Sequence, residues 1–223
     1  MNEKWTGQIN RPLRVWQDPK LSDDIYLHFS ELLKAVKSCA PKINGVVLDV
    51  GAGTTPYKHL FKFDKYITLD NHSYPGIDIT ADITKKIPLK NNSIDSVVCF
   101  QVLEHVINPK KAVSEIHRVL KNKGVCLLTT HMAAPLHGEP NDYYRFSKYA
   151  LQDLFKEFSY VKVKPNGGAS LSIMQLIVWG ISEKLPKVIA KPAVILLNWL
   201  GKIADKLFYS EVFTLNYSVF AIK

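Results

Sequence analysis

Val46-Val47-Leu48-Asp49-Val50-Gly51-Ala52-Gly53-Thr54-Thr55-Pro56 is the stretch from which the fold is read. Its first five residues are apolar and rich in β-branched types, too few for a helix, and they predict a buried parallel strand. Glycines follow at once. Glycine lets a backbone pass close to a ligand, and a helix starting just after the turn would aim its free N–H groups at that ligand. Thr55 is placed to cap such a helix, with Pro56 at its first position and Tyr57, Leu60 and Phe61 on its inner face.

Strand-like runs recur at 66–69, 78–79, 94–100, 125–130, 159–163 and 214–222. Before the run at 125–130 lies a well-signalled helix. Asn108 caps it, Pro109 opens it, Ala112, Val113, Ile116, Val119 and Leu120 share a face, and Gly124 lies past its end. Another helix starts at Ser147, where Phe146 and Leu151 occupy the two positions of a hydrophobic staple and Leu154, Phe155 and Phe158 continue the face. Upstream, Ser22 caps a helix expected from Asp23 to Pro41, with Ile25, Phe29, Leu32, Leu33 and Val36 at helical spacing. Strands alternating with helices at this rhythm predict an α/β fold whose parallel sheet is covered on both sides.

The 223 residues, 47% of them hydrophobic, can bury one substantial core and exclude a collagen, a disordered tail or a membrane bundle. Cys39, Cys99 and Cys126 are an odd set, and the last two fall in buried runs, which argues against a disulfide framework and for a reducing cytosol. No signal-peptide layout opens the chain, and no apolar run nears the roughly 20 residues that span a bilayer, so a cytoplasmic location is expected. The formal charge of +9 suits nucleic acid, anionic lipid or a phosphorylated substrate without choosing among them. Lysines are spread along the chain with no tight basic and aromatic cluster, and nucleic acid is not expected as a partner.

Val47-Leu48-Asp49-Val50-Gly51-Ala52-Gly53 resembles the first motif of class I S-adenosylmethionine-dependent methyltransferases, especially the type 11 group that acts on small molecules. Three further stretches follow in order. Ala81-Asp82-Ile83 resembles the family's third-strand motif. Ser93 to Val98, with Val102-Leu103-Glu104-His105-Val106, resembles the fourth, and Arg118 to Gly124 resembles the helix and turn leading to the fifth strand. The resemblance covers residues 45–130. It implies a Rossmann-like, seven-stranded, mostly parallel sheet whose last strand returns antiparallel, with S-adenosylmethionine as cofactor. Asp49 would then position the methionine amino group, Gly51, Ala52 and Gly53 would admit the ligand, and Asp70 would hold ribose hydroxyls. Asp82 would accept from the adenine amino group, and Asn71, Ile83, Gln101 and Glu104 complete the cofactor set. Thr55 departs from the third glycine of many members.

A dinucleotide fingerprint would need glycine at position 56, where Pro56 stands, and a pyrophosphate gains nothing from Asp49. Asp95 reads as a residue that organises backbone at a strand entrance, and Asp82 admits a similar turn role. A non-catalytic relative serving as an interaction module would have no need of carboxylates at three strand ends. A nucleic-acid methyltransferase would call for a fourth motif such as Asn-Pro-Pro-Tyr, unlike Val102-Leu103-Glu104-His105.

After the fifth strand, His131 to Ser147 is a loop rich in polar and aromatic groups at the edge where open parallel sheets bind ligands. Pro140-Asn141-Asp142-Tyr143-Tyr144-Arg145-Phe146-Ser147 resembles a motif of a family subset in which the arginine and tyrosines shape the acceptor pocket. Asp142, Tyr143, Tyr144 and Arg145 are therefore substrate-binding candidates, with packing and bracing as the alternative. Methyl transfer from a sulfonium needs alignment and exclusion of water, and an alcohol acceptor needs a base as well. His137 is the first candidate base, His131 the second and His105 the third. His131, His137 and Glu139 lack the helical spacing of zinc hydrolases, and no metal is expected.

Leu171 to Leu185 and Ala193 to Phe208 are strongly apolar and helix-like, broken by Pro186 and Pro192. The expected organisation is a single domain: a helical segment at 1–44, the cofactor core at 45–165, an apolar helical insertion at 168–210 and the last strand at 211–223. The insertion is expected to roof the acceptor pocket, to touch the inner face of a membrane through 170–208, or to pack on the N-terminal helix or in a homodimer. The expected reaction is O-methylation of a small-molecule, glycan or lipid-type acceptor.

Overall fold

The computed structural model describes residues 12–182 and 184–223. Seven strands form one sheet: β1 (Val46–Val50), β2 (Lys65–Asp70), β3 (Ile79–Thr80), β4 (Ile94–Phe100), β5 (Leu120–His131), β6 (Tyr160–Pro165) and β7 (Asn216–Ile222). Their spatial order is β3-β2-β1-β4-β5-β7-β6. The pairs from β3 through β5 are parallel, and β7 runs antiparallel to both β5 and β6. This is the expected Rossmann-like, mostly parallel sheet. Its strand order reverses between β1 and β4, which opens a crevice at their carboxyl ends.

Alternation along the strands separates two cores. Leu48, Val50, Val97, Cys99, Cys126 and Leu128 face one side, covered by α3 (Pro109–Val119) and α4 (Lys148–Leu154). Val47, Val98, Phe100 and Leu127 face the other, covered by α1 (Leu13–Gln17) and α2 (Tyr26–Cys39). A period of two on strands buried on both faces explains why these runs read as continuously apolar. The α3 cap is as expected, with Asn108 Oδ1 accepting from Lys111 N at 3.1 Å. Ser147 likewise accepts from Ala150 N at the start of α4. The three cysteines are free thiols.

Two expected helix starts are corrected. The helix expected from Asp23 begins at Tyr26, without a side-chain cap, because the residues before it are bound elsewhere. Asp23 pairs with both terminal nitrogens of Arg14, and its carbonyl accepts from Asn198. No α-helix follows Gly53. Thr55 takes φ +48°, and tight turns lead only to a 3-10 turn at Lys58–Leu60. Tyr57 and Phe61 still bury their rings, against Phe100 at centroid distances of 5.1 and 6.3 Å. Gly124 lies past the end of α3, as expected, and falls within β5. A Cβ there would stand 2.8 Å from the Lys121 carbonyl oxygen and 3.1 Å from that of Asp95.

The insertion is a helical hairpin between β6 and β7, α5 (Ala169–Ser182) and α6 (Lys187–Leu207). Pro192 sits inside α6 instead of ending it; the carbonyl it deprives of an amide belongs to Val188, a residue exposed to water. One side of the hairpin is tied to the N-terminal region. Gln175 accepts from His28 N and donates to the Asp24 carbonyl, Asn198 donates to the carbonyls of Leu21 and Asp23, and Lys202 pairs with Glu31. Among the described residues no helix is long and apolar enough to cross a membrane.

Candidate active site

A cavity of about 350 Å³ opens along the carboxyl ends of β1, β2 and β4. The turn after β1 forms its floor. Gly51 N and Ala52 N both donate to the Leu69 carbonyl, at 2.8 and 3.0 Å, stapling the turn to β2. Gly51 has φ +66°, and a Cβ there would come within 2.3 Å of Val102 Cγ2. Gly53 has φ +47° with open space where its Cβ would lie, so this glycine leaves room for a ligand.

Three carboxylates reach the cavity wall, each held differently. Asp49 is buried, accepts from the Tyr66 hydroxyl at 2.7 Å, and is pushed up to about 7. Loss of water is the main cause, and the charge of Asp70 adds to it against the Tyr66 hydrogen bond and Lys58. Asp70 accepts from Gly53 N at 3.1 Å through one oxygen and from His72 N at 3.2 Å through the other. Asp82 accepts from the amide and hydroxyl of Thr84, at 2.8 and 2.7 Å. Desolvation opposes those bonds, and they still hold Asp82 below the usual carboxylate range. The turn role of Asp82 is thus realised at a residue that also lines the cavity.

Asn71, Ile83 and Gln101 line the cavity. Gln101 has φ +57°, and its amide donates to Thr129 and Asn216. Its carbonyl oxygen is buried with no hydrogen-bond partner among the described residues. A buried acceptor left open beside an ionisable carboxylate suits a ligand that brings a cation and N–H donors. These residues fit S-adenosylmethionine, which brings an ammonium group, ribose hydroxyls and an adenine base. Glu104 is absent from the wall and fully buried, where it accepts from Thr130 Oγ1 at 2.8 Å.

The three histidines occupy different depths. His105 lines the cavity, and its Nδ1 lies 2.6 Å from the Asn141 carbonyl oxygen. His137 and His131 stand behind it in an edge-to-face series, with centroids 4.8 Å apart at each step. His131 is buried, and loss of water pushes its pKa well below the ordinary value. Position puts His105 first among the candidate bases, ahead of His137 and His131, neither of which lines the cavity.

The loop at 131–147 is braced from within. Arg145 grips Asp142 through two bonds of 2.6 and 2.7 Å and donates to the carbonyls of Ala134 and Pro135. Asp142 also accepts from His137 N at 3.0 Å. Burial would raise the Asp142 pKa, but the Arg145 fork and that amide hold it down to about 2. Tyr144 stacks on Phe146 and donates to the Ile107 carbonyl. Of the four substrate candidates only Tyr143 reaches the cavity; Asp142, Tyr144 and Arg145 shape the loop that carries it. Trp16 and Asn141 also line the wall. Nothing local to Trp16 marks it, since α1 reaches the site through tertiary packing, on Phe29 of α2 and on the turn after β1, where Gln17 Nε2 donates to the Pro56 carbonyl at 2.9 Å. Among the described residues none of α5 or α6 lines the cavity, so the expected roof is not formed by these helices.

A sheet in this order, with a glycine turn and an acidic strand end at its switch point, defines a class I methyltransferase architecture. The methyltransferase-domain family matches residues 48–128, a stretch that carries most of the cavity wall. An uncharacterized protein of Methanocaldococcus jannaschii is 38% identical over 105 residues, 44% of this chain and 46% of that protein. A probable S-adenosylmethionine-dependent methyltransferase of Mycolicibacterium smegmatis is 44% identical over 57 residues, 26% of this chain and 22% of that protein. The chain thus spans less than half the length of these relatives. The crystal structure of a SAM dependent methyltransferase from Archaeoglobus fulgidus shares the fold, with TM-score 0.57 and 15% identity over 90% of this chain and 97% of that one.

Proposed function

We propose that this chain transfers a methyl group from S-adenosylmethionine to an oxygen of a small-molecule, glycan or lipid-type acceptor, with His105 as the general base. The observation that carries this reading is the position of His105 on the cavity wall, with Nδ1 fixed by the Asn141 carbonyl. A carbonyl only accepts, so Nδ1 holds the proton and Nε2 carries the lone pair needed to take one from an alcohol. The bound cofactor supplies an electrophilic methyl on a good leaving group. Tyr143 and Asn141 then position the acceptor, and the braced loop excludes water.

The test is cofactor consumption across alcohol, glycan and lipid acceptors. His105→Ala is expected to lower kcat by about 10²- to 10⁴-fold, while S-adenosylmethionine affinity changes little. Undiminished turnover would remove His105 from the reaction. Turnover of amines with no oxygen acceptor accepted would remove O-methylation.

The lipid-type acceptor is favoured by the outer side of the α5–α6 hairpin. Ile173, Leu176, Ile177, Leu196, Trp199, Leu200 and Ile203 are all exposed there, an apolar stripe at helical spacing with Lys184, Lys191 and Lys206 on the same hairpin. With a net charge of +9, the occupant that fits this face is an anionic bilayer surface at the inner side of a membrane. Phosphatidylglycerol vesicles are expected to sediment the full chain, phosphatidylcholine vesicles far less, and Leu196→Asp with Trp199→Asp to release it. Indifference to anionic lipid defeats the proposal, as does a dimer in solution dissolved by the same substitutions.

A further inference from the structure

Behind the cavity wall, Glu104, His131 and His137 each present one ligand atom, and the three atoms lie within 4.8 Å of one another. The residues come from three places. Glu104 follows β4, His131 ends β5, and His137 lies in the loop beyond. The Glu104 Oε1 to His131 Nε2 separation is 3.5 Å, long for a hydrogen bond. A tetrahedral ion with ligands at 2.0–2.1 Å sets neighbouring ligand atoms about 3.3 Å apart, close to that separation.

Two further observations point into the same space. Glu104 is fully buried, and its Oε1 has no hydrogen-bond partner among the described residues although Oε2 accepts from Thr130. A buried carboxylate oxygen left this way is costly unless something positive meets it. His137 Nε2 is likewise buried without a hydrogen-bond partner among the described residues. Its Nδ1 is 2.9 Å from the Pro135 carbonyl oxygen, which fixes the proton on Nδ1 and the lone pair on Nε2. A histidine bound to metal through one nitrogen commonly donates its other N–H to a carbonyl in this manner.

We propose that Glu104, His131 and His137 form a binding site for a single divalent cation of the zinc class. Two imidazoles and one carboxylate favour such an ion over magnesium or calcium, which take oxygen donors. Three protein ligands leave a fourth position for water. The expectation of no metal rested on His131, His137 and Glu139, residues near one another in the chain. The carboxylate that completes the cluster is Glu104, supplied by the neighbouring strand end. The ion would pin the loop at 131–147 to the sheet, and with it the Asn141 and Tyr143 that wall the cavity. The inference does not depend on methyl transfer.

The test titrates the metal-stripped full chain with Zn²⁺ and, separately, Co²⁺. One equivalent is expected to bind, Co²⁺ with the intense visible absorption of tetrahedral coordination, and Zn²⁺ is expected to raise Tm by roughly 10 °C at a thousandfold excess over its Kd. Glu104→Gln is close in shape and His137→Ala removes a side chain that is partly exposed, so each keeps a measurable fold, checked by its melt without metal. Each is expected to weaken binding by about 100-fold or more. Absence of a stoichiometric site, an octahedral Co²⁺ spectrum, or variants that bind as the parent does would each overturn the proposal. Calorimetry with S-adenosylmethionine on the same variants reports the cofactor site separately.

Discussion

Replacing Asp49 by Asn is expected to make the protein more stable and nearly unable to bind its cofactor. The carboxyl is buried and pushed up to about 7, so between pH 4 and 7 the folded chain holds a proton that the unfolded chain has released. Stability therefore falls as pH rises across that window, and above it the ionised group costs about 4 kcal/mol. Asn keeps an acceptor for the Tyr66 hydroxyl without the charge. At pH 8 the variant is expected to melt about 5–10 °C higher. The charge is expected to meet the cofactor's ammonium, and losing one partner of a buried ion pair corresponds to a Kd weakened by about 10²- to 10³-fold. In the parent chain, affinity is expected to fall about tenfold per pH unit below 7, and in the variant to be flat over the same range. Calorimetry at pH 5.5, 6.5 and 8 measures this; equal affinity for the two proteins would remove Asp49 from the cofactor site.

Gly51→Ala is the second large effect, and it acts on the backbone. At φ +66° an alanine costs about 1–2 kcal/mol, and a Cβ placed 2.3 Å from Val102 Cγ2 forces a shift worth about 1–3 kcal/mol more. The sum predicts a Tm lowered by about 5–15 °C. Because Gly51 N and Ala52 N hold the turn to Leu69, the shift is carried into the cavity floor, and cofactor affinity is expected to drop by at least about tenfold. The double variant Gly51→Ala, Val102→Ala removes the clash and leaves the left-handed backbone. It is expected to regain only part of the loss in a thermal melt, and a full recovery would show that conformation at 51 does not matter.

The parts of this site that the sequence announces are those whose chemistry is local. Asp49 ends a strand, Gly51 and Gly53 turn beside it, and Asp70 ends the next strand, so period and turn chemistry locate all four. The helix expected at Thr55 failed because a cap residue and a following proline describe a helix start equally well in a chain that instead takes a left-handed turn. Arg145 was legible as important and illegible as to purpose, because its partner Asp142 and the carbonyls of Ala134 and Pro135 meet only once the loop is folded. The third-ranked histidine moved to first for a similar reason. His137 and His131 lie on the promising loop, but depth behind the wall is a property of packing, and it is His105 that touches the cavity. Trp16 and the pairing of Glu104 with His131 come from residues distant in the chain, where no spacing rule applies.

The last strand of the sheet is also an interior one. Because β7 lies between β5 and β6, the outermost strand has no neighbour to bond with until residues 216–222 have left the ribosome. The hairpin at 169–207 is thus synthesised before the strand that closes the sheet beside it. Five of the seven strands can pair with one another as they emerge, while β6 joins the sheet only through β7, once residues 216–222 have paired with β5.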